Sequence, residues 1–263
     1  MRRRRFTAAL AATASAGWLP CLTVSLDATA AEAVEVKLLT SVALTSALNE
    51  LAPQFEHASG DKLAIGYSLI ADIRKRVLNG ETADVIMLSR PVMDELQQQN
   101  KIVPGSIVNV AGTAVAMAVR AGAAKPDISS VAAFKRTLLA AKSVVYADPA
   151  KGGASGVYFA HVLDRLGIAE QMKPKTVLVP GAQAADVVAK GGAEIGIGQT
   201  SEIMPVAGAQ LVGPFPAELA STTLFAAGIG TGAEEPNAAK ALIRFLIGPV
   251  AARVFREKGF QPG

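Results

Sequence analysis

Cysteine is nearly missing: the 263 residues hold one, Cys21. It falls inside an N-terminal stretch that reads as a leader, so the chain beyond it is expected to have no disulfide, no thiol nucleophile and no sulfur metal site. Histidine is almost as scarce, with only His57 and His161. Both sit on the polar side of a helical pattern without a second ligand at metal spacing, which reads as solvated surface. No Lys-Ser/Thr follows the glycines of Gly152 to Gly156, so that loop is not a nucleotide P-loop. A cofactor-free protein without a metal site is the expectation.

Strong charge is also lacking once the leader is considered. Arg2 to Arg5 form a basic n-region, Phe6 to Leu26 contains no charged residue, and Ala28-Thr29-Ala30 and Ala31-Glu32-Ala33 are both A-x-A cleavage patterns. An uncharged run of about 18–20 apolar residues can span a bilayer. This one is rich in Ala, Thr and Ser and is interrupted by Pro20, so a removed signal peptide over residues 1–33 fits better than a stable membrane anchor. Arg3-Arg4-Arg5-Phe6 matches a twin-arginine pattern loosely, and Pro20 before Cys21 is a poor fit to a lipoprotein site. Removal takes away four of 26 basic and two of 22 acidic residues, reducing the net charge from +4 to +2. The basic character therefore belongs mostly to the leader, and no nucleic-acid partner is implied. The expected mature protein is periplasmic and long enough for one large domain or two lobes.

What is present is a repeated strand-loop-helix pattern. Val34 to Leu39 alternates and then turns apolar, ending at Thr40-Ser41. Leu44, Leu48, Leu51 and Phe55 follow at near-helical spacing, with Pro53 predicted to kink or end that helix early. Leu63, Ile65 and Tyr67 alternate as a second strand, and Ser68 is predicted to cap the helix carrying Ile70, Ile73 and Val77. Asp84 to Leu88 reads as a buried parallel strand ending at Ser89-Arg90, with Pro91 at a helix start. Thr113 to Val119 is a further strand. A second series follows at Ser143 to Ala147, Lys175 to Val179 and Glu194 to Gln199, then a strand at Thr222 to Ile229 and two closing helices. Two successive α/β series predict two lobes and a cleft between them.

The most informative stretch is Ser143 to Tyr158. A β-branched run gives way to Asp148-Pro149, a small-residue loop, and a helix with Phe159, Val162, Leu163 and Leu166 on one face. Ser155 is the predicted N-cap, and the first-turn amides beside Lys151 read as an anion pocket. Ser155 misses the G-x-S-x-G elbow because Val157 takes the last position, so it reads as a ligand hydrogen-bond donor rather than a nucleophile. Arg74, Lys75 and Arg76 read as a solvated face, with Arg74 held in reserve. For Arg90, cleft lining and lobe-surface pairing stand open. Tyr146 and Tyr158 also fit as core residues with locally satisfied hydroxyls, and Glu202 also fits as a helix N-terminal charge.

Thr40-Ser41-Val42-Ala43-Leu44-Thr45-Ser46-Ala47-Leu48, Gly80-Glu81-Thr82-Ala83-Asp84-Val85, Asp148-Pro149 to Gly156-Val157-Tyr158, and Gly248-Pro249-Val250-Ala251-Ala252 to Lys258-Gly259-Phe260 carry a resemblance. It spans nearly the whole mature chain and is to the molybdate-binding-like solute-binding proteins of ABC transporters. The resemblance implies a type II periplasmic binding protein fold, with lobe one at 34–112 and 228–263 and lobe two at 113–227. It also implies a small anionic ligand and an ABC permease as partner. The departures are at the ligand: Ala43, Leu69-Ile70-Ala71 and Gly196-Ile197-Gly198-Gln199 stand where molybdate binders carry hydroxyls. A di- or tricarboxylate is therefore expected in place of molybdate, bound by Ser41, Ser68, Arg90, Lys151, Gly153, Ala154, Ser155 and Gln199.

The chain also resembles the aconitate isomerase branch of the same fold, which moves a double bond by an allylic proton shift. That chemistry needs carboxylate clamps and one acid/base group, for which Lys151, Tyr158 and Glu202 are the candidates. The receptor is the leading expectation and the isomerase its alternative.

Overall fold

In the computed structural model, residues 33–263 are described; the expected leader, with Cys21, lies outside them. The first lobe opens with β1 (Glu35–Ser41), α1 (Thr45–Ser59), β2 (Lys62–Ser68), α2 (Ile70–Leu78), β3 (Val85–Ser89) and α3 (Arg90–Gln98). β1 pairs in parallel with both β2 and β3, as right-handed strand-helix-strand units require. β4 (Val108–Arg120) then runs through both lobes. Its first half pairs antiparallel with β9 (Thr222–Ile229), and β9 also pairs with β3.

The second half of β4 enters the other sheet, beside β7 (Ile195–Gln199) and β8 (Ala209–Pro214). Between them come α4 (Val131–Ala140), β5 (Val144–Ala147), α5 (Ala154–Arg165), α6 (Ala169–Met172), β6 (Thr176–Val179) and α7 (Ala184–Ala189). The four-residue α8 (Thr200–Ile203) follows β7. The chain closes with α9 (Pro236–Leu246), α10 (Pro249–Glu257) and the short β10 (Gln261–Pro262), which pairs with β4 in the first sheet.

Each sheet has its own core. Leu38, Leu48, Phe55, Val85, Phe225, Leu242 and Phe255 share one buried cluster, while Met117, Phe134, Phe159, Ile197 and Phe215 share another. Rings in the second core meet at tilted or edge-on angles, with Phe134 and Phe215 centroids 4.6 Å apart. Phe225 and Ala227 pack with the first core. We therefore propose that the return crossing lies between Pro214 and Thr222, ahead of the Gly228 boundary expected from the sequence.

Three local expectations are corrected. α1 runs through Pro53 to Gly60, whose φ of 85° stops it. Pro53 is on the solvent face, so the Asn49 carbonyl it leaves without an intrahelical donor faces water. Neither Ser68 nor Ser155 is a helix cap: the positions are Leu69 and Gly153, without side-chain caps. No helix among the described residues is long and apolar enough to cross a membrane.

Candidate functional site

The carboxyl ends of the strands converge on a narrow interlobe cavity. Only about 20 Å³ of it admits the centre of a water molecule, roughly one water's worth. From the first lobe, β1 delivers Ser41, 4 % exposed, whose Oγ accepts the Ala43 N–H at 3.3 Å. That turn lays Val42 and Ala43 against the cavity, and Leu69 and Ile70 at the start of α2 form its next wall.

The second lobe supplies Gly153, Ala154 and Ser155 from the start of α5. This helix approaches the end of β5 so closely that a Cβ on Gly156 would lie 1.9 Å from the Ala147 carbonyl oxygen. Glycine there lets the helix N-terminus reach the cavity. The first intrahelical bonds run from Val157 N to Gly153 O and from Ile73 N to Leu69 O. The amides before them, in α5 and α2, have no intrahelical acceptor and carry partial positive charge. An anion can therefore be held without a cationic side chain.

β7 and α8 complete the site with Gln199 and Glu202. Gln199 is 2 % exposed, and its backbone N–H donates to Glu202 Oε2 at 2.9 Å. The Gln199 side chain turns back toward the helix start in the manner of a capping box, but its Oε1 finds no partner at hydrogen-bond geometry. Glu202 lies deep in the molecule while keeping some surface on the cavity. Burial pushes its carboxyl up to about 7, against the opposing effect of the Gln199 N–H. It is the one titratable side chain lining the cavity among the described residues.

The cavity thus brings together Ser41, Gly153, Ala154, Ser155, Gln199 and Glu202. Four other expected site residues lie elsewhere. Ser68 Oγ donates to Asp72 Oδ2 at 3.0 Å, away from the lining. Arg90 is spent on Asp94 at 2.8 Å and Asn109 at 3.0 Å, and Lys151 is exposed outside the lining. The Tyr158 hydroxyl donates to the Leu219 carbonyl at 3.1 Å. Arg90 and Tyr158 border a wider, mostly apolar groove that shares Ile70, Gly152 and Ala154 with the cavity. The reserve residue Arg74 also borders it, forked onto Glu95. Leu69 and Ile70, which the resemblance had set at the ligand, line the cavity as an apolar wall, whereas sequence reasoning missed Gly181 and Ala182, because small residues contributing backbone carry no side-chain signal.

The model of the bacterial extracellular solute-binding protein family matches residues 36–261. An aconitate isomerase from Pseudomonas sp is 34% identical over 231 residues, covering 86% of this chain and 87% of its own. The molybdate-binding protein ModA of Azotobacter vinelandii is 29% identical, covering 91% and 94%. The solved periplasmic molybdate-binding protein of that organism superposes with a TM-score of 0.72 at 20% identity, over 87% of this chain and 99% of its own. The two-lobe fold, the cleft at the strand ends and the match across nearly all described residues lead to one conclusion: the chain belongs to the bacterial extracellular solute-binding proteins.

Proposed function

We propose that this protein takes a small di- or tricarboxylate between its lobes and isomerises it by an allylic proton shift, as an aconitate isomerase does. The observation that carries the reading is Glu202, alone among titratable side chains on the cavity wall, with its carboxyl pushed up to about 7. An acid/base group works best with a pKa near the working pH. As carboxylate, Glu202 removes a proton from one end of the three-carbon allylic unit. As carboxylic acid, it returns that proton to the other end while the double bond moves, and no atom is gained or lost overall. Negative charge then spreads onto the substrate carboxylates, where the α2 and α5 amides stabilise it. The 34% identity to an aconitate isomerase supports the same reading.

A transport receptor for a small anion, delivering to an ABC permease, is the second reading. It is favoured by the similarity to ModA and by the helix N-termini that hold anions without catalysis. Export to the periplasm belongs to either reading and follows from the leader expected in the sequence.

Proton NMR of the protein with trans-aconitate, followed over hours, separates the two. The isomerase reading expects cis-aconitate signals to grow. It also expects Glu202→Gln to slow that growth by about a hundredfold or more while ligand broadening persists. Broadening without conversion would leave the receptor, and no effect on either signal would exclude tricarboxylates.

A further inference from the structure

Glu202 sits on a helix of only four residues, Thr200–Ile203, too short to hold its own direction by intrahelical bonds. Ile203 anchors its far end in a buried cluster with Ala116, Ala118 and Ala185, and its start is held by a set of hydroxyl contacts beneath the cavity. Thr113 of β4 is fully buried, at the point where that strand passes from the first sheet to the second. Its Oγ1 accepts the Ser201 N–H at 3.2 Å and lies 2.8 Å from Thr200 Oγ1. Thr200 Oγ1 in turn donates to the carbonyl of Gly259 at 2.6 Å. Gly259 belongs to the C-terminal turn after α10, on the first lobe, where a Cβ would come within 2.9 Å of the Thr200 carbonyl oxygen.

Each hydroxyl has one proton to give, which orders the chain. Thr200 spends its proton on Gly259, so it can only accept from Thr113, and the Thr113 proton is directed to Thr200. Thr113 also has Ser201 Oγ at 3.2 Å as a more distant acceptor. The result is a one-way run from Ser201 N–H through Thr113 and Thr200 to the Gly259 carbonyl. It ties a second-lobe helix to the crossing strand and to the first lobe at once.

We infer that Thr200 and Thr113 are positioning residues for Glu202: their directional hydrogen-bond chain clamps α8 to the crossing strand and the first lobe, and so holds the Glu202 carboxyl against the ligand when the lobes are closed. This rests on the proposed isomerase reading for its catalytic consequence. Neither threonine lines the cavity, so ligand affinity is set elsewhere. With the chain broken, α8 swings, water reaches the carboxyl, and the proton-transfer geometry is lost.

The test compares Thr200→Val, which keeps the shape and removes the hydroxyl, with Thr200→Ser, which keeps the hydroxyl. Turnover of trans-aconitate is measured together with NMR titration of protein carrying 13C-labelled glutamate carboxyls, the Glu202 signal being identified by its loss in Glu202→Gln. The expected result for Thr200→Val is a kcat lowered about tenfold or more, KM little changed, and a Glu202 midpoint moved down toward the ordinary carboxylate range. Thr200→Ser restores both. Wild-type kcat and midpoint in Thr200→Val would overturn the inference, as would a loss that Thr200→Ser does not recover. If the wild-type protein fails to convert aconitate, the functional reading falls while the titration still decides: a lowered midpoint in Thr200→Val upholds the clamp, and an unchanged one overturns it.

Discussion

Glu202 was one of three acid/base candidates visible in the sequence, and burial separates it from the other two. Its raised pKa has a consequence for stability with a definite sign. Below pH 4.5, its ordinary value, the carboxyl is protonated in the folded and unfolded chain alike and costs nothing. Between 4.5 and about 7 the unfolded chain releases the proton while the folded one keeps it, so stability falls as pH rises. Glu202→Gln is therefore expected to be more stable than the wild type at pH 8, by up to roughly 3 kcal/mol. The gap should close by pH 4, as read by urea unfolding at a series of pH values. Gly156 makes a steric prediction. Its absent Cβ is what lets α5 approach Ala147, so Gly156→Ala should cost about 1–3 kcal/mol in the same assay. It should also weaken ligand binding by pushing the α5 N-terminus away from the cavity.

At the scale of elements, periodicity located most strands and helices. β9 was expected at Thr222 to Ile229, where it lies. β8 was missed because Ala209 to Pro214 shows neither clean alternation nor an apolar run, and pairing with β4 is what makes it a strand. Helix starts were misread for a related reason. Ser68 and Ser155 have capping side chains, but backbone placement by the neighbouring strands made Leu69 and Gly153 the flanking residues. One helix end is held from far along the chain. The Lys175 ammonium donates to the carbonyls of Leu138, Leu139 and Ala141, between 2.6 and 3.1 Å, which closes the C-terminus of α4. Lys175→Met should lower stability by about 1–2 kcal/mol, because it leaves these carbonyls without their charged donor. Thermal unfolding checks this, with turnover per folded molecule expected to stay the same.

For the molecule as a whole, the cavity is too narrow for a carboxylate of several carbons unless the lobes part. Gly152 of the second lobe approaches Ala71 of the first, a Cβ on it lying 3.0 Å from the Ala71 Cβ. The paired change Ala71→Cys with Gly152→Cys should cross-link the lobes on oxidation. Ligand-induced NMR broadening would then disappear and return with a reducing agent; broadening unaffected by oxidation would show that entry needs no lobe motion. The two-lobe character was legible because the alternation of strand and helix periods is a local property. The small residues of the α5 loop were visible too, and they line the cavity.

The sequence by itself determined the strand-helix order, which follows from spacing within a few residues, and the resemblance to a solute-binding family, which four longer stretches carry. Tertiary structure alone decided which polar groups line the cavity. Ser68, Arg90 and Tyr158 have chemistry suited to a carboxylate, yet their hydrogen bonds go to Asp72, Asp94 and Asn109, and the Leu219 carbonyl. Glu202 stands apart from Lys151 and Tyr158 because distant segments bury it, and burial is a property of the packed chain that no short stretch of residues carries.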